Sequence, residues 1–552
     1  MDIHSWSRPD LIRVRHIELD LDVRFDLRVL EGSATLHLDR VAGRELVVDT
    51  RGLAIHQVEN AASYELGEAD PILGAPLRIQ LPPDATWVRV HYSTSPHASG
   101  LQWLEPAQTA GKAHPFLYTQ SQAIHARSWI PLQDTPAVRV TFQAEIRVPA
   151  GLRVVMGAEM SGHRFRMEQP VPSYLIALAA GNLEFRALGE RSGVYAEPAM
   201  IDSAAYEFAD TEAMIGAVEA MYGPYRWGRY DLLVLPPSFP FGGMENPRLT
   251  FATPTVIAGD RSLVSLVAHE LAHSWSGNLV TNATWSDFWL NEGFTVYVER
   301  RVLERLYGPA RAAMEAVLGR RQLDAEMAGL KEADTVLHID LKGRDPDDGC
   351  TLVPYEKGAL MLRTIEQSVG RERFDGFLRA YFDHFAFQSI TTADFLEYIG
   401  RELPNPVPLG EWIFRPGVPE GAADPHSDAF ERVEAGWPRD TSAWSTHEWL
   451  HFLRSQHPPD MERLDGEFHL TESRNSEILF QWLAMAVKAG YRPAFDKVGP
   501  FLKSVGRRKF LKPIYSELMK TAEGQAMARA IYAEARAGYH PIAQATIDAI
   551  VG

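Results

Sequence analysis

The sequence predicts a multidomain α+β protein, and three observations predict it. Apolar and polar residues alternate through the first third of the chain, the period of half-buried strands. The middle mixes helical and strand-like runs. Beyond a proline-rich stretch the pattern is helical to the end. At 552 residues the chain is too long for one hydrophobic core, so about three domains are expected.

From about Arg13 the alternation is carried by Ile17, Leu19, Leu21, Val23, Phe25 and Leu27. It recurs at Leu77–Leu81, Val88–Tyr92 and Val140–Val148, with turn residues between, and strand character persists through Tyr174–Leu178. Residues 1–186 therefore read as an antiparallel β domain. Residues 203–221 read as helix and Asp231–Leu235 as a short buried strand, within a mixed domain over 187–410. Prolines from Pro404 to Pro425 mark a linker, set at 411–424. Residues 425–552 read as all-helical. There Ile478, Leu479, Trp482, Leu483 and Ala486 form one amphipathic stripe, and Phe495, Val498, Phe501 and Leu502 begin another. Helices at such short spacing suggest a helix-pair layer or small solenoid.

Composition excludes some functions. Hydrophobic residues make up 45% and charged residues 23%, as in ordinary globular proteins. A net charge of -17 argues against nucleic acid as a partner. No run approaches the roughly eighteen apolar residues of a membrane span. The single cysteine, Cys350, excludes an intrachain disulfide and suits a reducing compartment. Met1–Asp10 has no apolar h-region, so a cytoplasmic location is expected.

The most informative stretch is His269-Glu270-Leu271-Ala272-His273. Histidines at i and i+4 lie on one helix face, where their rings can converge on one zinc ion. Leu263, Val264, Leu266, Val267, Leu271 and Trp275 supply the stripe of a buried helix, with Ser262 as its expected N-cap and Gly277 and Asn278 as its end. A catalytic zinc takes three protein ligands and keeps one position open. Glu292, in a second helical pattern from about Ser286 to Leu306, is the third candidate. Glu270 is placed to act as general base on a zinc-activated water. Glu299, two turns beyond Glu292, either orients a ligand histidine or is a solvated helix charge.

This motif, preceded by Gly242-Gly243-Met244-Glu245-Asn246 and followed by Tyr355, resembles the zinc aminopeptidases of the membrane alanyl aminopeptidase family, which are gluzincins. It is closer still to the leukotriene A(4) hydrolase and aminopeptidase B branch. Gln120-Ser121-Gln122, Gln133-Asp134-Thr135-Pro136, Val353-Pro354-Tyr355-Glu356-Lys357-Gly358 and Gly506-Arg507-Arg508-Lys509-Phe510 extend the resemblance over most of the chain. It implies a β saddle, a thermolysin-like zinc peptidase domain and an armadillo- or HEAT-like helical domain.

The resemblance also implies roles. An exopeptidase needs an anion for the substrate's free α-ammonium, and Glu245 is assigned there, with Gln120 and Gln122 beside the substrate's N-terminal end. Gly242 and Gly243 allow close backbone approach, so a peptide can pair with the Gly242-Gly243-Met244 stretch as an added strand. Tyr355 is the expected oxyanion donor. Arg507 and Lys509 match a pair that grips a short peptide's C-terminal carboxylate; the alternative is a solvated basic run. Asp347 aligns with an acid deep in the cleft and is expected to favour arginine or lysine at the first position. Cys350 departs from the branch, whose epoxide-opening members carry tyrosine there; it either lines the cleft or is a small buried hydrophobe.

The expected function is a monomeric zinc aminopeptidase with one zinc ion, acting on short peptides with a free N-terminus. The alternatives are a bifunctional epoxide hydrolase and aminopeptidase, or an inactive binding scaffold of the same fold.

Overall fold

The computed structural model describes residues 2–438, 440–456 and 459–552. An N-terminal β domain, a central mixed domain and a C-terminal helical domain follow one another along the chain. One contiguous hydrophobic core runs from Ile12 to Ala423 through the first two domains, and a second, from Val433 to Val551, belongs to the helices. The β domain and the central domain thus share a single interior.

The largest N-terminal sheet has seven strands, with Ile12–Arg24 and Val29–Arg40 near its middle. Along Ile12–Arg24 most apolar side chains are buried and most of their neighbours are exposed, which is why the alternation was visible in the sequence. The domain is not wholly antiparallel. Ile12–Arg24 pairs in parallel with Arg139–Arg147, His16 opposite Thr141. Alternation shows which face is buried and says nothing of strand direction. The Tyr174–Leu178 stretch also differs, with a 3-10 turn at Ser173–Leu175 before the strand Leu178–Gly181. Beneath these sheets the buried Arg127 donates to Asp134 at 2.9 Å, and Gln133 accepts from Val14 N at 2.9 Å and donates to Ile12 O at 2.8 Å. Such pairing is what a buried charge requires, and it anchors the segment after Gln120–Gln122.

The central domain has a five-stranded sheet ordered Glu184–Ala187, Ser192–Ala196, Tyr230–Val234, Leu249–Ala252, Gly243–Met244. The short strand Gly243–Met244 is its edge, antiparallel to Leu249–Ala252. Helix Ser265–Ala272 packs beside it, and helix Trp289–Tyr307 packs on that helix. Gly293 allows a close crossing: a Cβ there would lie 2.8 Å from the Cα of Gly358. That contact seats Trp289–Tyr307 against the π-helical turn Val353–Lys357 and the helix Gly358–Val369.

Residues 411–424 are not a free linker. A helix spans Leu409–Phe414, Trp412 and Ile413 are buried in the first core, and Leu337 N donates to Ile413 O at 3.1 Å. Prolines here shape an ordered strap. Beyond it the helices Thr446–Ser455, Ser476–Ala489 and Arg508–Leu518 face the central domain. Asn475 caps the second by accepting from Glu477 N and Ile478 N, and its amide donates to Thr446 Oγ1 at 2.7 Å. Among the described residues no helix is long and apolar enough to cross a membrane.

Candidate active site

Helix Ser265–Ala272 presents His269 and Glu270, and His273 stands at its C-cap. The helix begins later than the sequence predicts. Ser262 is not its cap; its hydroxyl lies 2.6 Å from Thr446 Oγ1 of the helical domain. Nε2 of His269 and Nε2 of His273 lie 3.4 Å and 3.5 Å from Oε2 of Glu292. The three donor atoms fall within 4.8 Å of one another.

The outer face of each ring is held. Nδ1 of His269 lies 2.9 Å from Glu299 Oε2, so Glu299 is no solvated charge. Nδ1 of His273 lies 3.1 Å from Ser276 O and 3.0 Å from Thr295 Oγ1. These partners leave both Nε2 atoms facing Glu292, the tautomer a metal ligand needs. Oε2 of Glu292 is buried and without a hydrogen-bond partner. Two imidazoles and one orphaned carboxylate oxygen are the donor set of a catalytic zinc, and the residues fit that ion.

Burial lowers His273 to about 4, which keeps its ring in the neutral ligand form. For His269 burial also lowers the value, but Glu292 and Glu299 outweigh it and raise it. Burial pushes Glu270 well above the ordinary carboxylate value; His269 opposes this and Glu245 adds to it. Burial raises Glu245 to about 7. The donor-rich, anionic pocket calls for a cation.

Glu245 belongs to the same cluster: one polar atom each of Glu245, Glu270 and His273 lies within 4.8 Å of the other two. Gln122 donates to Glu245 Oε1 at 3.4 Å, and Gln120 donates to the sulfur of Met244 at 3.3 Å. The Met244 side chain is buried in that contact and is not among the cavity-lining residues, unlike Gly242, Gly243 and Glu245. The ring of Tyr355 stacks on His269 with centroids 6.1 Å apart and planes at 17°. A Cβ at 243 would sit 2.2 Å from Glu270 Oε1 and displace that carboxylate, and one at 242 would sit 3.1 Å from Arg507 Nη2.

A cavity of about 1160 Å³ joins these groups and reaches the helical domain. Asp347 lines it half-exposed, with its carboxylate 3.3 Å from His125 Nε2 and accepting from Ala123 N at 3.3 Å. Cys350 is exposed on the cavity wall. At the far end Lys509 donates to both oxygens of Glu477, at 2.7 Å and 2.8 Å, and Arg507 donates to Oε1 at 3.3 Å. The two cations come together around a carboxylate the sequence did not single out. A first-turn glutamate in Asn475-Ser476-Glu477 reads as an ordinary helix-start acid.

Profile matches agree with this geometry. The model described as Peptidase M1 N-terminal domain matches residues 14–175, Peptidase family M1 domain matches 206–408, and Leukotriene A4 hydrolase, C-terminal, matches 444–551. Leukotriene A-4 hydrolase of Xenopus laevis is 37% identical over 599 aligned positions, covering 98% of each chain. This chain belongs to the M1 peptidase family. Within that family it is also 39% identical to Leucine aminopeptidase 2 of Yarrowia lipolytica, over 93% of this chain and 88% of the relative. The structure of yeast LTA4 hydrolase in complex with bestatin superposes with a TM-score of 0.92 at 32% identity, covering 100% of this chain and 97% of that one. As an M1 peptidase the chain is a zinc metallo-aminopeptidase with one catalytic zinc.

Proposed function

We propose that this M1 enzyme removes N-terminal residues from short peptides, with His269, His273 and Glu292 holding the zinc and Glu270 as general base. The supporting observation is the clustering of Glu245 with Glu270 and His273 within 4.8 Å. A free α-ammonium paired with Glu245 brings the first peptide carbonyl to the metal end of the cavity and no later one. The backbone edge at Gly243–Met244 pairs the peptide as an added strand. When bound, the zinc supplies Lewis-acid chemistry, polarising the carbonyl and making water acidic. Glu270 takes the proton of the attacking water and passes it to the leaving amine. The Tyr355 hydroxyl donates to the developing oxyanion; losing such a donor costs about 2.7–4 kcal/mol of barrier.

Arg507 and Lys509 receive the C-terminal carboxylate, which limits the peptide to what the cavity holds. Asp347, already shared by His125 and Ala123 N, gives a first-residue cation a partner only by competing with those contacts. A monomeric, cytoplasmic enzyme is part of this reading, and the lone cysteine suits a reducing compartment. Epoxide hydrolysis is left out of it, because Cys350 occupies the wall position where the resembled epoxide-opening branch has tyrosine. An inert scaffold is disfavoured by the complete donor set.

The test separates metal from base. Glu270→Gln retains zinc by metal analysis and loses turnover of aminoacyl anilides by orders of magnitude, whereas His273→Ala loses both. A Glu270→Gln enzyme with near-normal kcat overturns the base assignment.

A further inference from the structure

We propose that Arg454 turns the far end of the cavity into a receptor for two anionic groups, so that peptides ending in aspartate or glutamate are preferred. The inference rests on the peptide reading above and names a substrate class within it.

Helix Thr446–Ser455 turns His447, Leu450 and Arg454 onto the cavity wall, the i, i+3, i+7 spacing of one face. His447 is occupied: its Nε2 lies 2.7 Å from Glu315 Oε1. Arg454 has no carboxylate of its own. Its Nε donates to Gln481 Oε1 at 3.0 Å, and among the described residues its guanidinium makes no other hydrogen bond or ion pair. Gln481 follows Glu477 by one turn on helix Ser476–Ala489, so Arg454 stands beside the Glu477 cluster.

Charge does not balance there. Among the described residues Glu477 is the single carboxylate shared by Arg507 and Lys509, and Arg454 is a third cation on the same wall. Arg508, also on the wall, only adds to the excess. Among the cavity's other carboxylates, Glu356 is engaged by Arg300 at 2.6 Å, Glu315 by His447 and Asp347 by His125, while Glu245, Glu270, Glu292 and Glu299 cluster around the candidate zinc site. With Arg508, four cations against one carboxylate leave a surplus of three. A substrate's C-terminal carboxylate offsets one, and an acidic last side chain, met by Arg454, offsets another. Burial lowers Arg454, with only Glu477 opposing, as expected of a guanidinium short of anions. The free edge of its planar fork suits a carboxylate bidentately. The N-terminus of helix Arg508–Leu518 adds positive potential at the same spot.

The experiment compares Leu-Ala-Glu, Leu-Ala-Gln, Leu-Ala-Ala and Leu-Ala-Ala-amide as substrates of the zinc-loaded full chain. Expected is a kcat/KM for Leu-Ala-Glu about tenfold above that for Leu-Ala-Gln, mostly through KM. Arg454→Gln brings the ratio to about one, Arg454→Lys keeps much of it, and Arg454→Glu favours Leu-Ala-Lys. Equal rates for the glutamate and glutamine peptides in the parent enzyme, or an unchanged ratio in Arg454→Gln, overturn the proposal. Failure of the underlying reading looks different: the amide is then cleaved as well as the free acid, or no tripeptide is cleaved at all. Preference for the free acid with no glutamate preference sinks the role of Arg454 alone.

Discussion

The Glu270 carboxylate rests against Gly243, so closely that a Cβ at 243 would stand 2.2 Å from its Oε1. The edge strand that is to pair with substrate therefore also confines the proposed general base. Gly243→Ala must push that carboxylate out of position. The expected result is a folded, zinc-containing enzyme with kcat reduced by about tenfold to a thousandfold, since general-base catalysis contributes about 10²–10⁴-fold. Near-normal kcat in this variant would show that the contact does not position Glu270.

Glu299 holds His269 at 2.9 Å from the side away from Glu292. Glu299→Ala is expected to weaken zinc affinity by about 10–100-fold, the usual effect of losing such a partner. Competition with a chromogenic chelator reads this directly, and an unchanged affinity contradicts the orienting role.

If Arg507 and Lys509 receive a peptide's C-terminal carboxylate, as proposed, their loss is felt by substrates that carry that group. Arg507→Gln is expected to raise KM for tripeptides by about tenfold, while the KM of aminoacyl anilides, which lack that group, changes little. Parallel increases for both substrates would place Arg507 in general folding of the cavity instead.

The helical domain is tied to the central one through His447 and Glu315, 2.7 Å apart. Burial alone would raise Glu315, but His447, Arg311 and Arg300 outweigh it and hold it below its ordinary value of 4.5. A carboxyl held lower in the fold than in the unfolded chain stabilises above the unfolded value, and that stability is lost as pH falls toward the folded one. Tm is therefore expected to fall as pH is lowered from about 5 toward 3, and Glu315→Gln should lower Tm at neutral pH and flatten that acid-side slope. A variant with an unchanged Tm profile removes this bridge from the account.

Zinc chemistry was legible in the sequence because it is local. His269 and His273 are a helical turn apart, and Glu292 and Glu299 share a face of the next helix, so spacing forms each pair and the packing of the two helices joins them. The strand faces were legible for the same reason. What depended on distant partners was not. Parallel pairing of Ile12–Arg24 with Arg139–Arg147 leaves no trace in alternation. Ser262 looked like an N-cap because caps and interdomain hydrogen bonds use the same hydroxyl, here engaged by Thr446. The proline-rich stretch resembled a linker, although Trp412 and Ile413 bury within it. Met244 belongs to the substrate-side motif yet points into a contact with Gln120. Glu477 and Arg454 gained meaning only when tertiary packing set them beside Arg507 and Lys509.

The central claim is that cleavage is measured from a free amino terminus held by Glu245. The most direct measurement compares Leu-Ala-Ala with its N-acetylated form on the zinc-loaded enzyme, with the products identified by mass. The free peptide is expected to release its first residue, and acetylation to lower kcat/KM by about a hundredfold or more, the loss of one charged hydrogen-bonded pair in a buried site. Equal cleavage of the two peptides, or cutting at an internal bond, would contradict it.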